Sequence, residues 1–258
     1  NPRILDEAEF LIFGGISNPM PTVCMAALLA CEFKFKNTSC WDLKSGCSTG
    51  VLALQQAISY FDRGAKKGVI ICSETFSKFT DNQNLQMAAS IGDGACGIII
   101  SADDKSQVIG RVHGTDAEYF KTMYVPGKYP VDVQNFDQSQ YVFHFADKAD
   151  TLEKLTGCWV NSLTELLELS NIKPQSIDHY ISHQVDGSKN LAIAMNAGIP
   201  RESIAQNFET YGNMGCPTIF INLYFWLKSN DLKDNDTIVF HAVGGGLSWA
   251  GICLKRGQ

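Results

Sequence analysis

Apolar and polar positions change their period several times along the chain. Phe10-Leu11-Ile12-Phe13 is an unbroken apolar run closed by Gly14-Gly15, which predicts a buried strand reaching a tight turn. A short apolar helix is expected over residues 21–30 and a second strand over 39–43. That strand feeds Ser45-Gly46-Cys47-Ser48-Thr49-Gly50. Val51, Leu54, Ile58 and Phe61 then fall on one stripe, predicting a helix over 51–61 that Gly64 stops. Residues 68–73 read as an interior strand of a parallel sheet, and 95–100 as another strand after the turn Gly92-Asp93-Gly94. No period is sustained over residues 101–140, so this stretch is expected to be a long excursion that either lines a substrate tunnel or decorates the surface. Helical spacing returns over 151–169. A strand follows at 179–183, a helix at 191–197, a helix at 217–227, a strand at 237–241 and a strand at 250–254.

The second series resembles the first in order and spacing. This suggests an internal duplication: an α/β protein of two βαβ-containing halves about a pseudo-twofold axis, residues 1–148 and 149–258. The chain has 258 residues, of which 45% are hydrophobic and 19% charged, enough for a sizeable core and too apolar for disorder. Its formal charge of −6, with no dense basic patch, argues against nucleic acid as a partner. No apolar run is long enough to span a bilayer and no cleavable leader is apparent. The nine cysteines are irregularly spaced, without a C-x-x-C pair, so no metal centre is expected. Free thiols in that number suit a reducing cytoplasm.

Cys47 stands just before a helix, whereas most of the other cysteines lie within strands or helices. Unpaired N–H groups of a first helical turn favour a thiolate over a thiol, so its pKa is expected to be lowered. Ser45, Gly46 and Gly50 leave room for an incoming carbonyl. The plainer reading makes Cys47 one more small buried residue. Cys216 also precedes a helix and is a lesser candidate. A nucleophilic cysteine needs an electrostatic or basic partner. His183 and His241 each end a strand and suit that role, or that of a satisfied buried histidine; His113, His144 and His179 are weaker. Asn213, in Tyr211-Gly212-Asn213-Met214-Gly215, either takes a left-handed turn or offers its amide. Gly244-Gly245-Gly246 is either a flexible turn or a place where a backbone N–H can approach an oxyanion.

Five motifs stand in order: Asp42-Leu43-Lys44-Ser45-Gly46-Cys47-Ser48, Ile91-Gly92-Asp93-Gly94-Ala95, Ile181-Ser182-His183-Gln184, Tyr211-Gly212-Asn213 and Gly244-Gly245-Gly246-Leu247-Ser248-Trp249. Together the sequence resembles the β-ketoacyl-acyl-carrier-protein synthase III family of the thiolase-like fold. The resemblance implies a layered α-β-α-β-α arrangement and decarboxylative condensation of an acyl thioester with malonyl-acyl-carrier protein. By it, Cys47 carries the acyl group, and His183 and Asn213 stabilise the enolate formed as carbon dioxide leaves. The N–H groups of Cys47 and Gly245 form the oxyanion hole, and Met20 borders the acyl pocket across a homodimer in which strand 39–43 pairs with its twin. No cofactor is implied beyond coenzyme A or carrier-protein phosphopantetheine thioesters as substrates, and the acyl-carrier protein is the implied partner.

The resemblance also implies a segment before Phe10, including a central strand of the first sheet, supplied by another polypeptide or, the favoured alternative, by a cleaved or otherwise separate piece of the same chain. An arginine that helps such enzymes hold coenzyme A has no counterpart in His183-Gln184-Val185-Asp186-Gly187-Ser188, with Lys189 beside it, which favours carrier-bound donors. Two other functions are set against condensation: acyl transfer to a different nucleophile, and a silent partner subunit. Retention of Asn213 favours condensation.

Overall fold

A computed structural model describes residues 6–102, 106–145 and 148–257. The first sheet has the order β2-β1-β3-β4, built from β1 (Phe10–Gly14), β2 (Ser39–Leu43), β3 (Lys67–Glu74) and β4 (Gly94–Ser101). The second has the order β5-β11-β10-β8-β9, from β5 (Gln107–Thr115), β8 (His179–Ser182), β9 (Ile204–Ala205), β10 (Thr237–Gly244) and β11 (Ser248–Lys255). A two-stranded ribbon, β6 (Met123–Tyr124) with β7 (His144–Phe145), completes the strands.

The two sheets repeat one plan. β1 runs parallel to β2 and β3, and β3 antiparallel to β4; β8 runs parallel to β9 and β10, and β10 antiparallel to β11. Helix α1 (Met25–Glu32) joins β1 to β2 and α2 (Thr49–Phe61) joins β2 to β3. After the short α3 (Leu85–Ser90) and the long α4 (Lys148–Ser170), α5 (Gly187–Asn196) joins β8 to β9. The short α6 (Phe208–Tyr211) and then α7 (Thr218–Leu227) lead from β9 to β10.

Helices α2 and α7 lie between the sheets and share one apolar core with both: Phe10, Ile12 and Ile70 from the first sheet meet Val51, Ile219 and Phe220 from the helices and Ile181, Ile238 and Phe240 from the second sheet. Helix α4 packs on the outer face of the second sheet through Leu163, Leu166 and Leu167, and α1 covers part of the outer face of the first. Five layers result, as the sequence resemblance implies.

Three expectations are corrected here. Residues 107–115 were expected to lie in an aperiodic excursion but form β5, paired antiparallel to β11. Its half-exposed edge position explains why it lacks the solid apolar run of an interior strand. Because β5 belongs to the second sheet, sheet membership changes between β4 and β5 rather than at residue 148. Finally, the first sheet has no vacant centre: β1 is hydrogen-bonded on both sides, so a further strand can join only at an outer edge. The free edge of β4, where Ile99 is half-exposed, has no strand partner among the described residues, whereas its counterpart β11 is covered by β5. No helix among the described residues is long and apolar enough to cross a membrane.

Candidate active site

Strand β2 delivers the chain into the turn that precedes α2. Gly46 adopts φ +55°, and a Cβ there would fall 2.9 Å from the Gly245 carbonyl oxygen, so both the backbone and the space require glycine. Thr49 Oγ1 donates to the Gly46 carbonyl (2.6 Å) and accepts from Ser45 N–H (2.8 Å). Ser248 Oγ donates to the Ser45 carbonyl (2.9 Å) and lies 2.8 Å from Ser48 Oγ. The turn is thus fastened to the β10–β11 hairpin of the other half. A Cβ on Gly244 would lie 2.6 Å from Cys47 N, which places the glycine run directly against the cysteine backbone.

Cys47 is only 4% exposed, yet it lines a cavity of about 430 Å³. Asn213, Gly244 and Gly245 line the same cavity, with Met87, Ile91, Thr122, Met123 and Phe145 around them and Asp186 and Lys189 further along. Part of the central excursion therefore belongs to the cavity wall. The expected lowering of the Cys47 pKa is not found. Burial, followed by the Glu74 carboxylate, pushes the thiol up to about 12, against the opposing influence of the Gly245 and Cys47 N–H groups on the sulfur. Desolvation outweighs the helix terminus, and the resting group is a thiol.

His183 follows β8 and is fully buried. Burial depresses its pKa to about 3, so the ring is neutral. Neither ring nitrogen has a well-aligned hydrogen-bond partner among the described residues, though the Gly215 carbonyl approaches the ring as an acceptor and works against burial. Gly215 N–H donates to Asn213 Oδ1 at 2.9 Å. That same bond orients Asn213. With Oδ1 accepting from Gly215, the side-chain NH2 is the group left for the cavity. Asn213 N–H donates to the Ser90 carbonyl (2.7 Å) and Gly92 N–H donates to the Asn213 carbonyl (3.0 Å). The left-handed positions here are Gly212 and Gly215, so Asn213 is not the turn residue.

Gln184 joins these two segments. Its Nε2 donates to the Gly212 carbonyl (3.1 Å), while Oε1 accepts from Asn207 N–H (3.2 Å) and Asn222 Nδ2 (3.3 Å). No role for Gln184 follows from the sequence pattern alone, although its place directly after His183 is a usable signal. Glu74 also went unnoticed. It is buried at the end of β3, accepts from Ile16 N–H (3.0 Å), Ser17 N–H (3.0 Å) and the Ser17 hydroxyl, and burial raises its pKa.

His183 itself is not among the residues lining the cavity, and the other candidates lie elsewhere. Cys216 stands two residues before α7 as Cys47 stands two before α2, but it is sealed against the Gly14 carbonyl (3.3 Å) and Glu74 (3.4 Å), with its thiol pushed well up by burial. His241 is buried between Tyr180 and Ser162. His179 bridges Asp236 (2.7 Å) and the Trp226 indole (2.8 Å); His144 meets the Ser139 carbonyl (2.7 Å); His113 lies on β5. Met20 is 39% exposed and is not among the residues lining this cavity of its own chain.

Residues 41–117 match the family model 3-oxoacyl-[acyl-carrier-protein (ACP)] synthase III, and residues 167–256 match the C-terminal model of the same synthase. The chain belongs to the β-ketoacyl-[acyl-carrier-protein] synthase III family. A synthase III of Chlorobium chlorochromatii is 27% identical over 256 residues, covering 96% of this chain and 78% of that protein. The synthase III of Aquifex aeolicus is 26% identical, covering 97% and 77%. The crystal structure of the Aquifex aeolicus enzyme superposes with a TM-score of 0.87 at 23% identity over 98% of this chain and 79% of that one. OleA of Xanthomonas campestris, crystallised with lauric acid and lauroyl-CoA, superposes at 0.83 with 15% identity over 97% and 77%. The synthase III fold is thus the thiolase-like α/β fold, and membership makes the chain an acyltransferase.

Proposed function

We propose that the protein condenses an acyl thioester with malonyl-acyl-carrier protein through an acyl-Cys47 intermediate. The observation that carries this reading is the convergence of Cys47, Asn213 and Gly245 on one cavity, with the Gly245 N–H on the sulfur. Loading moves the acyl carbon from the donor thiol to Cys47 Sγ. The proton that leaves Cys47 ends on the departing donor thiol, so no net proton is exchanged. The Cys47 and Gly245 N–H groups face the oxyanion of that step.

In the second step the malonyl carboxylate leaves as carbon dioxide and its electron pair becomes an enolate. Asn213 NH2 and an N–H of neutral His183 stabilise the enolate oxygen, and neutrality suits a donor that must not surrender its proton. The enolate carbon attacks the acyl carbon and expels Cys47 as thiolate. A thiol pushed up to about 12 recovers a proton from the medium at once, which resets the enzyme. No cofactor enters either step.

Two further parts of the reading concern partners. Lys189 and Asp186 line the cavity, and Asp186 is occupied in capping α5 through Ser188 N–H (3.1 Å) and Lys189 N–H (3.2 Å), so Lys189 is the charge left to meet a phosphopantetheine phosphate. Strand β2 is an edge strand, which suits pairing with its twin in a homodimer.

The test is intact-protein mass after exposure to acetyl- and octanoyl-CoA, followed by malonyl-carrier protein. The expected result is one acyl adduct on the parent, none on Cys47→Ala, and a β-ketoacyl product. His183→Ala and Asn213→Ala should load and then fail to release carbon dioxide. Loading of Cys47→Ala, or normal condensation by either of the other two, overturns the assignment.

A further inference from the structure

Behind His183 lies a buried polar chain that the reaction does not use directly. The Trp159 ring on α4 faces the His183 imidazole, with centroids 6.3 Å apart and planes within 22°, an offset stack. Its indole N–H donates to the Tyr180 hydroxyl at 3.4 Å. Tyr180 lies 3.0 Å from His241 Nδ1, and His241 Nε2 lies 2.9 Å from Ser162 Oγ. Ser162 donates its own proton to the Cys158 carbonyl at 2.7 Å.

The shortest of these contacts gives one consistent set of protons. With the Ser162 hydrogen on the Cys158 carbonyl, its oxygen accepts from His241 Nε2–H. His241 Nδ1 is then an acceptor, and Tyr180 O–H must donate to it. The Tyr180 oxygen is left to receive the Trp159 N–H, with the Ser182 hydroxyl a second donor beside it. All four side chains are buried, and each polar atom in the run has a partner. His183 is the exception beside them, with no well-aligned partner on either ring nitrogen.

From this contrast we infer that the Trp159–Tyr180–His241–Ser162 chain is a positioning device for His183. It anchors the indole, and the anchored indole fixes the plane of the imidazole and keeps water from that side. The ring can then offer an N–H to an enolate from a fixed plane. The inference rests on the proposed role of His183 in decarboxylation and adds four residues that act through it. None of the four touches substrate.

Variants of the full chain should separate the two half-reactions. Tyr180→Phe keeps the shape and breaks the chain at its middle. Its decarboxylation of carboxyl-labelled malonyl-carrier protein should fall on the order of tenfold in kcat, with KM unchanged. Loading of Cys47 by acetyl-CoA should stay within about twofold, because that step does not need His183. Trp159→Phe keeps an aromatic face and should retain more decarboxylation than Trp159→Leu. Equal losses in both steps, or decarboxylation unaffected in both Tyr180→Phe and Trp159→Leu, would overturn the inference.

Nitrogen-15 NMR of the histidine rings gives a reading independent of turnover. The parent should show one sharp set of His183 ring signals, and Tyr180→Phe should show those signals broadened by exchange between ring orientations. An unaltered His183 signal in that variant overturns the positioning role even if activity falls. If His183→Ala itself loses no decarboxylation selectively, the reading of the reaction fails instead, while the NMR comparison still decides whether the chain orders the ring.

Discussion

Cys47 sits where two influences oppose each other. The start of α2 and two N–H groups favour a negative sulfur, while burial and the Glu74 carboxylate disfavour it, and the second pair prevails. Iodoacetamide should therefore modify Cys47 far more slowly at neutral pH than the exposed Cys31, as peptide mass mapping will read. Glu74→Gln removes a negative charge near the sulfur, so the pH dependence of Cys47 alkylation should move to lower pH. A second pH effect belongs to His183 and His241. Both pKa values are depressed from 6.5 to about 3 by burial. Between those values the unfolded chain binds protons that the folded one refuses, so stability is full above about 6.5 and falls as pH drops toward 3. Each contributes a slope on the order of 1.4 kcal/mol per pH unit well inside that window. Glu74, with its raised pKa, acts in the opposite sense at acid pH. Urea midpoints from pH 7 to 4 will show the net fall. The positions of Cys47, His183 and Asn213 at the ends of strands and turns were legible in the sequence. Their protonation was not, because it depends on burial by residues far away in the chain.

Elements whose boundaries depend on their own residues were read well, and those set by neighbours were not. Strand β2 and the stripe of α2 agree with expectation because apolar period and flanking turns are local. Helix α1 was expected over 21–30 and runs instead over Met25–Glu32. Its start is fixed by Asp42 on β2, whose carboxylate accepts from Met25 N–H (2.8 Å) and Ala26 N–H (2.9 Å), a cap supplied from seventeen residues away. No pattern within residues 21–32 reports that. Asp42→Ala should shorten α1 from its first turn and cost about 1 kcal/mol, measurable as a lower urea midpoint with loss of amide protection at Met25 and Ala26. Strand β5 escaped for a related reason: an edge strand whose faces are unequally covered needs no solid apolar run, and its identity comes from pairing with β11.

At the scale of the molecule, the cavity draws Cys47 from the first half and Asn213, Gly244 and Gly245 from the second, so its geometry holds only while the halves keep their relative placement. The core shared by Phe10, Ile70, Phe220, Ile238 and Phe240 secures that placement. Calorimetry should show one cooperative transition whose midpoint coincides with loss of Cys47 loading. Ile238→Ala should cost the roughly 2–5 kcal/mol of a large-to-small core change, read as a lower midpoint, without splitting the transition in two. One common interior also has a cost. Two similar halves joined in a single body can neither drift nor be repaired alone, and any change at the seam must be answered from the other side.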